Sequence, residues 1–174
     1  PIRLSSRYGL GELSIFLSFG PLLTLGTGFA IANETILLYS NEFYNLLLLG
    51  VPIGLLTTNI LFINQYPDHA SDKKVGKNHL VVLLGKKASR WIYALNLILA
   101  LGSLYYIAEN ILTGTKQMLF LYLLIPITMF YSYYLLSGLF KYYNSRKLIK
   151  YNIHTIYFHM FFSFIYMIIL ANFQ

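Results

Sequence analysis

Charged residues and cysteine are what this sequence has least of. The chain of 174 residues contains no cysteine, and only 11% of its residues are charged. About a quarter of the residues of a soluble globular domain are charged, so the composition does not fit an ordinary soluble domain. The absence of cysteine excludes a disulfide framework and any metal site built from thiolates.

The charged residues are grouped, and they leave five long uncharged runs between them. These runs cover residues 13–32, 43–67, 91–108, 117–140 and 151–174. A helix needs about 20 apolar residues to cross the bilayer core, and backbone groups in lipid must bond to each other. We therefore predict an all-α integral membrane protein with five transmembrane helices, forming a single membrane domain over residues 1–174.

The basic residues follow the predicted topology. The formal net charge is +7, and every lysine and arginine except Lys116 lies before the first run, between the second and third, or between the fourth and fifth. These three places share one side of a five-helix bundle, so the charge does not indicate nucleic-acid binding. By the positive-inside rule this side, which also carries both aspartates of the chain, faces the cytoplasm.

Those two aspartates, Asp68 and Asp72, stand in the longest polar segment, residues 64–90. Pro67 is a favourable first helical residue and Gly76 a favourable stop, which predicts a short separate helix over residues 67–75. Residues four apart share a helix face, so both carboxylates should project together. Asn64, four residues earlier, would extend the same polar stripe.

Two neighbouring carboxylates repel each other unless a cation or a proton lies between them. Oxygen ligands without cysteine or a histidine pair favour Mg²⁺ over zinc, and Mg²⁺ is commonly shared with substrate phosphates. This interpretation makes Asp68 and Asp72 metal ligands, with Lys73 and Lys77 as contacts for phosphate oxygens. The spacing alone leaves a second interpretation open, in which the segment is a solvated surface with internal ion pairs.

The segment "NQYPDHASDKKVGKNHLVVLLG" resembles the second aspartate-rich motif of the UbiA superfamily of intramembrane prenyltransferases. The pattern N-x-x-x-D-x-x-x-D-x-x-x-G-K, followed by V-x-x-G, is most similar to the 1,4-dihydroxy-2-naphthoate polyprenyltransferase branch. The stretch "YGLGELSIFLSFGPLLTLG" is similar to that branch as well. One departure is "KNHLVV", which stands where many members carry a sequence of the K-R-T-L-A-V type. The residues that carry the motif here are Asn64, Asp68, Asp72, Gly76, Lys77, Val82 and Gly85.

The resemblance implies an Mg²⁺-dependent enzyme of the bacterial inner membrane. It would transfer a polyprenyl group from a prenyl diphosphate to an aromatic acceptor, 1,4-dihydroxy-2-naphthoate, in menaquinone biosynthesis. Asp68 and Asp72 would be catalytic and would bind the metal, while Asn64, Lys73 and Lys77 would bind the diphosphate. Two alternatives stay open: the same fold with another acceptor (homogentisate, 4-hydroxybenzoate or a lipid), or a non-catalytic transport or lipid-binding protein.

The family resemblance also implies nine helices and two aspartate-rich motifs that face each other across one cavity. The five runs of this chain correspond to the fifth to ninth helices, and no third aspartate exists to form the first motif. The chain also begins with proline rather than methionine. We therefore expect the C-terminal part of a nine-helix bundle, which would not catalyse by itself.

Several polar residues outside the motif allow narrower predictions. His154 and His159 lie in the last apolar run, where ionisable groups usually face the bundle interior, so we expect hydrogen-bonded packing roles. Asn96 is expected to form a bond between helices. His69 and His79 flank the motif and are interpreted as surface residues.

Three charged residues near the first run each allow two interpretations. Arg3 and Arg7 precede the run on the motif side and would contact lipid headgroups, or the diphosphate or an acceptor carboxylate. Glu12 lies at the start of the run, where a negative charge stabilises the N-terminal end of a helix dipole. A role for Glu12 in acceptor binding is the alternative.

Overall fold

The computed structural model describes residues 7–32, 38–112 and 114–171, and within these ranges the chain is helical, with no strand. Five segments are long and apolar enough to cross a membrane, the first of them made of two helices. The predicted all-α class and the five spans are therefore confirmed. The helices are α1 (Leu10–Phe19), α2 (Pro21–Ile31), α3 (Asn41–Lys74), α4 (Leu80–Asn110), α5 (Thr115–Tyr142) and α6 (Leu148–Ala171).

The first span is broken where it crosses α3. Gly20 leaves helical geometry (φ −119°, ψ −108°), and Pro21 begins α2. The backbones touch at this crossing, because a Cβ on Gly20 would lie only 2.7 Å from the carbonyl oxygen of Gly50. A Cβ on Gly54 would lie 2.5 Å from the carbonyl oxygen of Phe16. Glycines on both partners therefore permit the close approach.

Helix α3 is continuous through Pro67, so the prediction of a separate helix beginning there is wrong. A proline inside a helix removes one backbone hydrogen bond, a loss that membrane helices tolerate. The 34 residues of α3 span about 51 Å, which exceeds a bilayer core of about 30 Å. The motif is thus the projecting end of a transmembrane helix. Only residues 75–79 connect α3 to α4, instead of the long segment predicted over residues 64–90.

Gly76 ends α3 as predicted. It adopts a left-handed conformation (φ 74°), and the N–H of Lys77 donates to the carbonyl of Asp72 at 3.0 Å. The N–H of Gly76 itself donates to the carbonyl of Lys73 at 3.3 Å. These two bonds form a Schellman motif, which satisfies the last carbonyls of the helix and reverses the chain.

Polar bonds join the helices of the buried core. Asn96 donates to Asn59 on α3 at 2.9 Å, which confirms the predicted bond between helices. His154 and His159 also have the expected packing roles. His154 Nδ1 lies 2.9 Å from the hydroxyl of Tyr131, and His159 Nε2 lies 2.9 Å from the hydroxyl of Thr57.

Candidate functional site

A cavity of about 220 Å³ lies beside the projecting end of α3. It contains four of the five residues that the sequence predicts for the site. We call it the aspartate cavity. The residues that line it are Leu61, Asn64, Gln65, Asp68, Asp72, Lys77 and His79.

Asp72 forms both of the ion pairs found in the described part of the chain. Its Oδ1 accepts a hydrogen bond from Lys77 Nζ at 2.8 Å, and its Oδ2 lies 3.1 Å from His79 Nε2. The Asp72 side chain is 14% exposed, whereas Lys77 is 50% exposed. The hydrogen bond from Lys77 to Asp72 raises the pKa of Lys77, so this amine carries its positive charge at neutral pH.

Local folding brings Lys77 and His79 to Asp72. The Schellman turn at Gly76 folds Lys77 back over the last turn of α3. His79 precedes the first residue of α4 and is 2% exposed, so the interpretation as a surface residue is wrong for it. The chain before α1 packs on this connection, since the N–H of Tyr8 donates to the carbonyl of Asn78 at 2.8 Å. His69, by contrast, is partly exposed.

Asn64 and Asp68 complete the polar stripe of α3. Asn64 Oδ1 accepts a hydrogen bond from Asn152 of α6 at 3.1 Å. Asp68 is exposed, and within the described part of the chain it forms no ion pair. The sequence-based prediction missed Asn152, and the signal that could have identified it is an amide inside an apolar run, which usually faces the bundle interior.

Lys73 and Arg7 are exposed and do not line the aspartate cavity, and Arg3 lies outside the described residues. Five residues of helix rotation place Lys73 about 140° around α3 from Asp68. Its predicted contact with diphosphate stays a prediction that the geometry of this cavity does not favour.

Glu12 connects three helices next to the cavity. It is 5% exposed, and its Oε1 accepts hydrogen bonds from Gln65 Nε2 at 3.0 Å and from the N–H of Leu80 at 3.1 Å. The side chain of His79 does not cap α4, so Glu12 supplies the acceptor for its first turn. Glu12 does lie in the first turn of α1, as the dipole interpretation requires, but its hydrogen bonds are to α3 and α4.

The metal-ligating oxygens of the cavity fit an Mg²⁺ site that is shared with a substrate better than a site in which the protein supplies every ligand. In residues 7–32, 38–112 and 114–171 no group of three or more histidine, cysteine, aspartate or glutamate residues could hold a metal. Two carboxylates and the Asn64 amide remain. Each carboxylate oxygen of Asp72 accepts one hydrogen bond and keeps a second lone pair. Mg²⁺ is typically bound in this way, by one or two carboxylates together with substrate phosphates.

Comparison with known proteins finds one matching family model and several relatives of this chain. The model of the UbiA prenyltransferase family matches residues 1–168. A protein named 1,4-dihydroxy-2-naphthoate octaprenyltransferase from Escherichia coli (strain K12) is 37% identical over 100 residues, which are 58% of this chain and 29% of that protein. A protein of the same name from Haemophilus influenzae is 31% identical over 116 residues, or 67% of this chain and 35% of its own length.

A third relative has a different name. The UbiA prenyltransferase domain-containing protein 1 homolog from Drosophila melanogaster is 33% identical over 98 residues, which cover 56% of this chain and 25% of that protein. The matched part of the chain thus spans about a third or less of these relatives. No solved structure matches the chain significantly.

Proposed function

The chain belongs to the UbiA prenyltransferase family, and from this premise we propose that the full-length protein is an Mg²⁺-dependent membrane prenyltransferase. It transfers a polyprenyl group from a prenyl diphosphate to an aromatic acceptor. The acceptor that we propose is 1,4-dihydroxy-2-naphthoate, which makes the reaction a step of menaquinone biosynthesis. Two of the relatives carry this acceptor in their names.

The observation that carries the proposal is the group formed by Asp68, Asp72 and Lys77 in one cavity. Carboxylates for a metal and a cation for phosphate oxygens are what diphosphate departure requires, since charge develops on the leaving group. The group lies at the end of a transmembrane helix, where a lipid-soluble prenyl chain can extend into the membrane while its diphosphate stays in water.

The residues have separate proposed roles. Asp68 and Asp72 hold Mg²⁺, and Asn64, which lines the same cavity and whose amide oxygen accepts from Asn152, supports the site. When bound, Mg²⁺ supplies electrostatic stabilisation of the departing diphosphate. Lys77 binds diphosphate oxygens while it remains close to Asp72, and Lys73 contacts the same diphosphate from an exposed position outside the cavity. The bond between the prenyl carbon and the diphosphate oxygen breaks, and the aromatic ring forms a C–C bond to the prenyl cation. The carboxylate of the ring then leaves as CO₂ and returns its electron pair to the ring.

We further propose that the aspartate cavity faces the cytoplasm of a bacterial inner membrane. The basic residues at this end of the helices support the orientation through the positive-inside rule.

Two other functions are distinguishable. A different acceptor, such as homogentisate, 4-hydroxybenzoate or a lipid, would use the same diphosphate chemistry, so an acceptor panel with one prenyl diphosphate separates these cases. A transport role that uses Asp68 and Asp72 for cation coupling would place these acidic groups near mid-membrane, where coupled cations cross. Asp68 and Asp72 instead lie in the last two turns of a helix longer than the bilayer core.

The first test is the substitution Asp72→Asn in the full-length protein. We expect loss of prenyl transfer by at least about a hundredfold, because the amide removes the charge that binds the metal while it preserves the shape of the side chain. The measurement is product formation from a prenyl diphosphate and 1,4-dihydroxy-2-naphthoate, with Mg²⁺ varied. Glu42→Gln, an exposed acid in the first turn of α3, is the matched control and should retain activity. An active Asp72→Asn protein would contradict the proposal that Asp72 is a ligand of Mg²⁺.

A further inference from the structure

A second and larger cavity opens on the other side of α3. Its volume is about 450 Å³, and its walls come from α3, α4, the connection between α5 and α6, and the first residues of α6. Tyr66 lines it, and two residues of helix rotation place Tyr66 about 160° from Asp68. None of its lining residues belongs to the aspartate cavity. We call it the basic cavity.

The charged groups that line the basic cavity are Lys86 and Arg146, and no acidic residue lines it. Within the described ranges neither cation takes part in an ion pair, since both ion pairs found there are to Asp72. Two uncompensated cations at one opening attract an anion. Because they lie at the end of the helices that carries the aspartates, the anion would come from that face of the membrane.

A third cation is fixed behind the wall. The guanidinium of Arg90 lies 4.6 Å from the ring centre of Phe140 and 4.3 Å from that of Tyr143, which itself lines the cavity. Its Nη1 donates to the carbonyl of Phe140 at 3.0 Å. Arg90 therefore adds positive electrostatic potential to the cavity, while these contacts hold its side chain in place.

The basic cavity also has hydrogen-bond donors. Tyr66 is 0% exposed, and its hydroxyl has no hydrogen-bond partner among the described residues. A buried hydroxyl without a partner is costly. Because Tyr66 is one of the residues that line the cavity, a ligand bound there is the candidate acceptor for this hydroxyl. Asn144 and Ser145 add uncharged polar groups at the rim.

Two helices begin at this cavity, and their dipoles favour an anion. Helix α6 starts at Leu148, which lines the wall. Gly85 interrupts α4 with a non-helical conformation (φ 76°, ψ 155°), so a new helical segment starts at Lys86. The N-terminal end of a helix carries partial positive charge and commonly binds phosphate.

We propose that the basic cavity binds a phosphate group through Lys86, Arg146 and the hydroxyl of Tyr66. The phosphate belongs either to the headgroup of an anionic phospholipid of the adjacent leaflet or to a soluble phosphate ion. Ile149, which is 52% exposed at the rim, offers apolar contact to a lipid chain. The residues involved are separate from those proposed for prenyl transfer, so the two proposals stand or fall independently.

Isothermal titration calorimetry of the full-length protein in neutral detergent tests the proposal. The probes are dihexanoyl phosphatidylglycerol and, in a second arm, inorganic phosphate. The site variant is Lys86→Gln/Arg146→Gln. The matched control is Lys87→Gln/Lys147→Gln, which removes the same charge at the neighbouring positions, neither of which lines the cavity.

We expect saturable binding of phosphatidylglycerol that weakens at least about tenfold in the site variant and stays within about twofold in the control. Tyr66→Phe should weaken binding about threefold or more, because it removes only the hydroxyl. Binding of phosphatidylglycerol alone identifies a lipid headgroup site, and comparable binding of inorganic phosphate identifies a soluble anion site. Arg146→Gln alone, at an exposed position, should show a smaller loss in the same direction if the double variant unfolds.

Three results would overturn the proposal. One is the absence of saturable binding of both probes to the unchanged protein. Another is an equal loss in the site and control variants, which would mean diffuse attraction by a basic surface. The third is unchanged affinity in both Arg146→Gln and Tyr66→Phe.

Discussion

Asp72 shows how a single side chain depends on the chain around it. Both of its oxygens accept hydrogen bonds, from Lys77 and from His79, and both partners lie in the short connection that follows α3. The sequence could predict the aspartate and the lysine, because their types and spacing indicate their chemistry. It could not predict the histidine, because the burial of His79 results from tertiary packing that its type and spacing do not reveal.

The bond from His79 predicts a positioning role for this residue. In the full-length protein, His79→Leu should lower kcat/KM for the prenyl diphosphate about tenfold or more, since a hydrogen bond to a charged group is lost. His79→Gln carries an amide N–H near the position of Nε2 and should restore most of this loss. The measurement is kcat and KM at several Mg²⁺ concentrations, with the unfolding midpoint as a control. If both variants lose activity equally, His79 does not act through its hydrogen bond.

Glu12 yields a prediction about stability. Its Oε1 accepts from both the Gln65 side chain and the N–H of Leu80, so Glu12→Ala leaves one buried and one partly buried donor without an acceptor. We expect the free energy of unfolding to fall by about 2–4 kcal/mol.

Glu12→Gln is the matched variant, because it keeps one oxygen acceptor at the same place and should lose much less stability. Thermal unfolding in detergent, followed by circular dichroism, measures both. An alanine variant as stable as the unchanged protein would show that water replaces the carboxylate at this site.

At the scale of helices, the sequence predicted the number of spans well and their ends poorly. Uncharged length determines whether a segment can cross the membrane, and this property is visible in the sequence. The end of α3 is different, because Pro67 is compatible with both the start of a helix and its interior. Only the packing of the neighbouring helices decides between the two. Gly76 was predictable, since a glycine after a helix is a common stop.

The crossing of the first span with α3 gives a prediction for the helices. Gly54→Ala should lower the free energy of unfolding by about 1–3 kcal/mol, because the added Cβ lies 2.5 Å from a backbone oxygen that cannot move aside easily. Gly102→Ala in α4 is the control, since a Cβ there meets nothing within 4 Å. Alanine favours helix over glycine by up to about 1 kcal/mol, so the control should be neutral or more stable. Equal unfolding midpoints for the two variants would contradict the backbone contact.

For the whole molecule, the orientation in the membrane is the property on which the proposed chemistry depends. The aspartate cavity and the basic cavity lie at the same end of the bundle, together with every basic residue except Lys116 and the undescribed Arg3. Positive charge at one end opposes its transfer across the membrane, so this end should face the cytoplasm. The distribution of basic residues between the two membrane faces could be predicted from the sequence. Which of these residues line the aspartate cavity and which line the basic cavity could not, because that depends on how the helices pack around α3.

The absence of cysteine from these 174 residues makes this orientation directly measurable. Lys74→Cys, at the end of α3, should react with a membrane-impermeant maleimide only after the membrane is permeabilised, which gives the reagent access to the cytoplasmic side. Lys116→Cys, in the first turn of α5, should react in intact cells. The unsubstituted protein controls for labelling elsewhere. The reverse pattern would place the aspartates outside the cytoplasm, away from a cytoplasmic supply of prenyl diphosphate, and the proposed function would have to be abandoned.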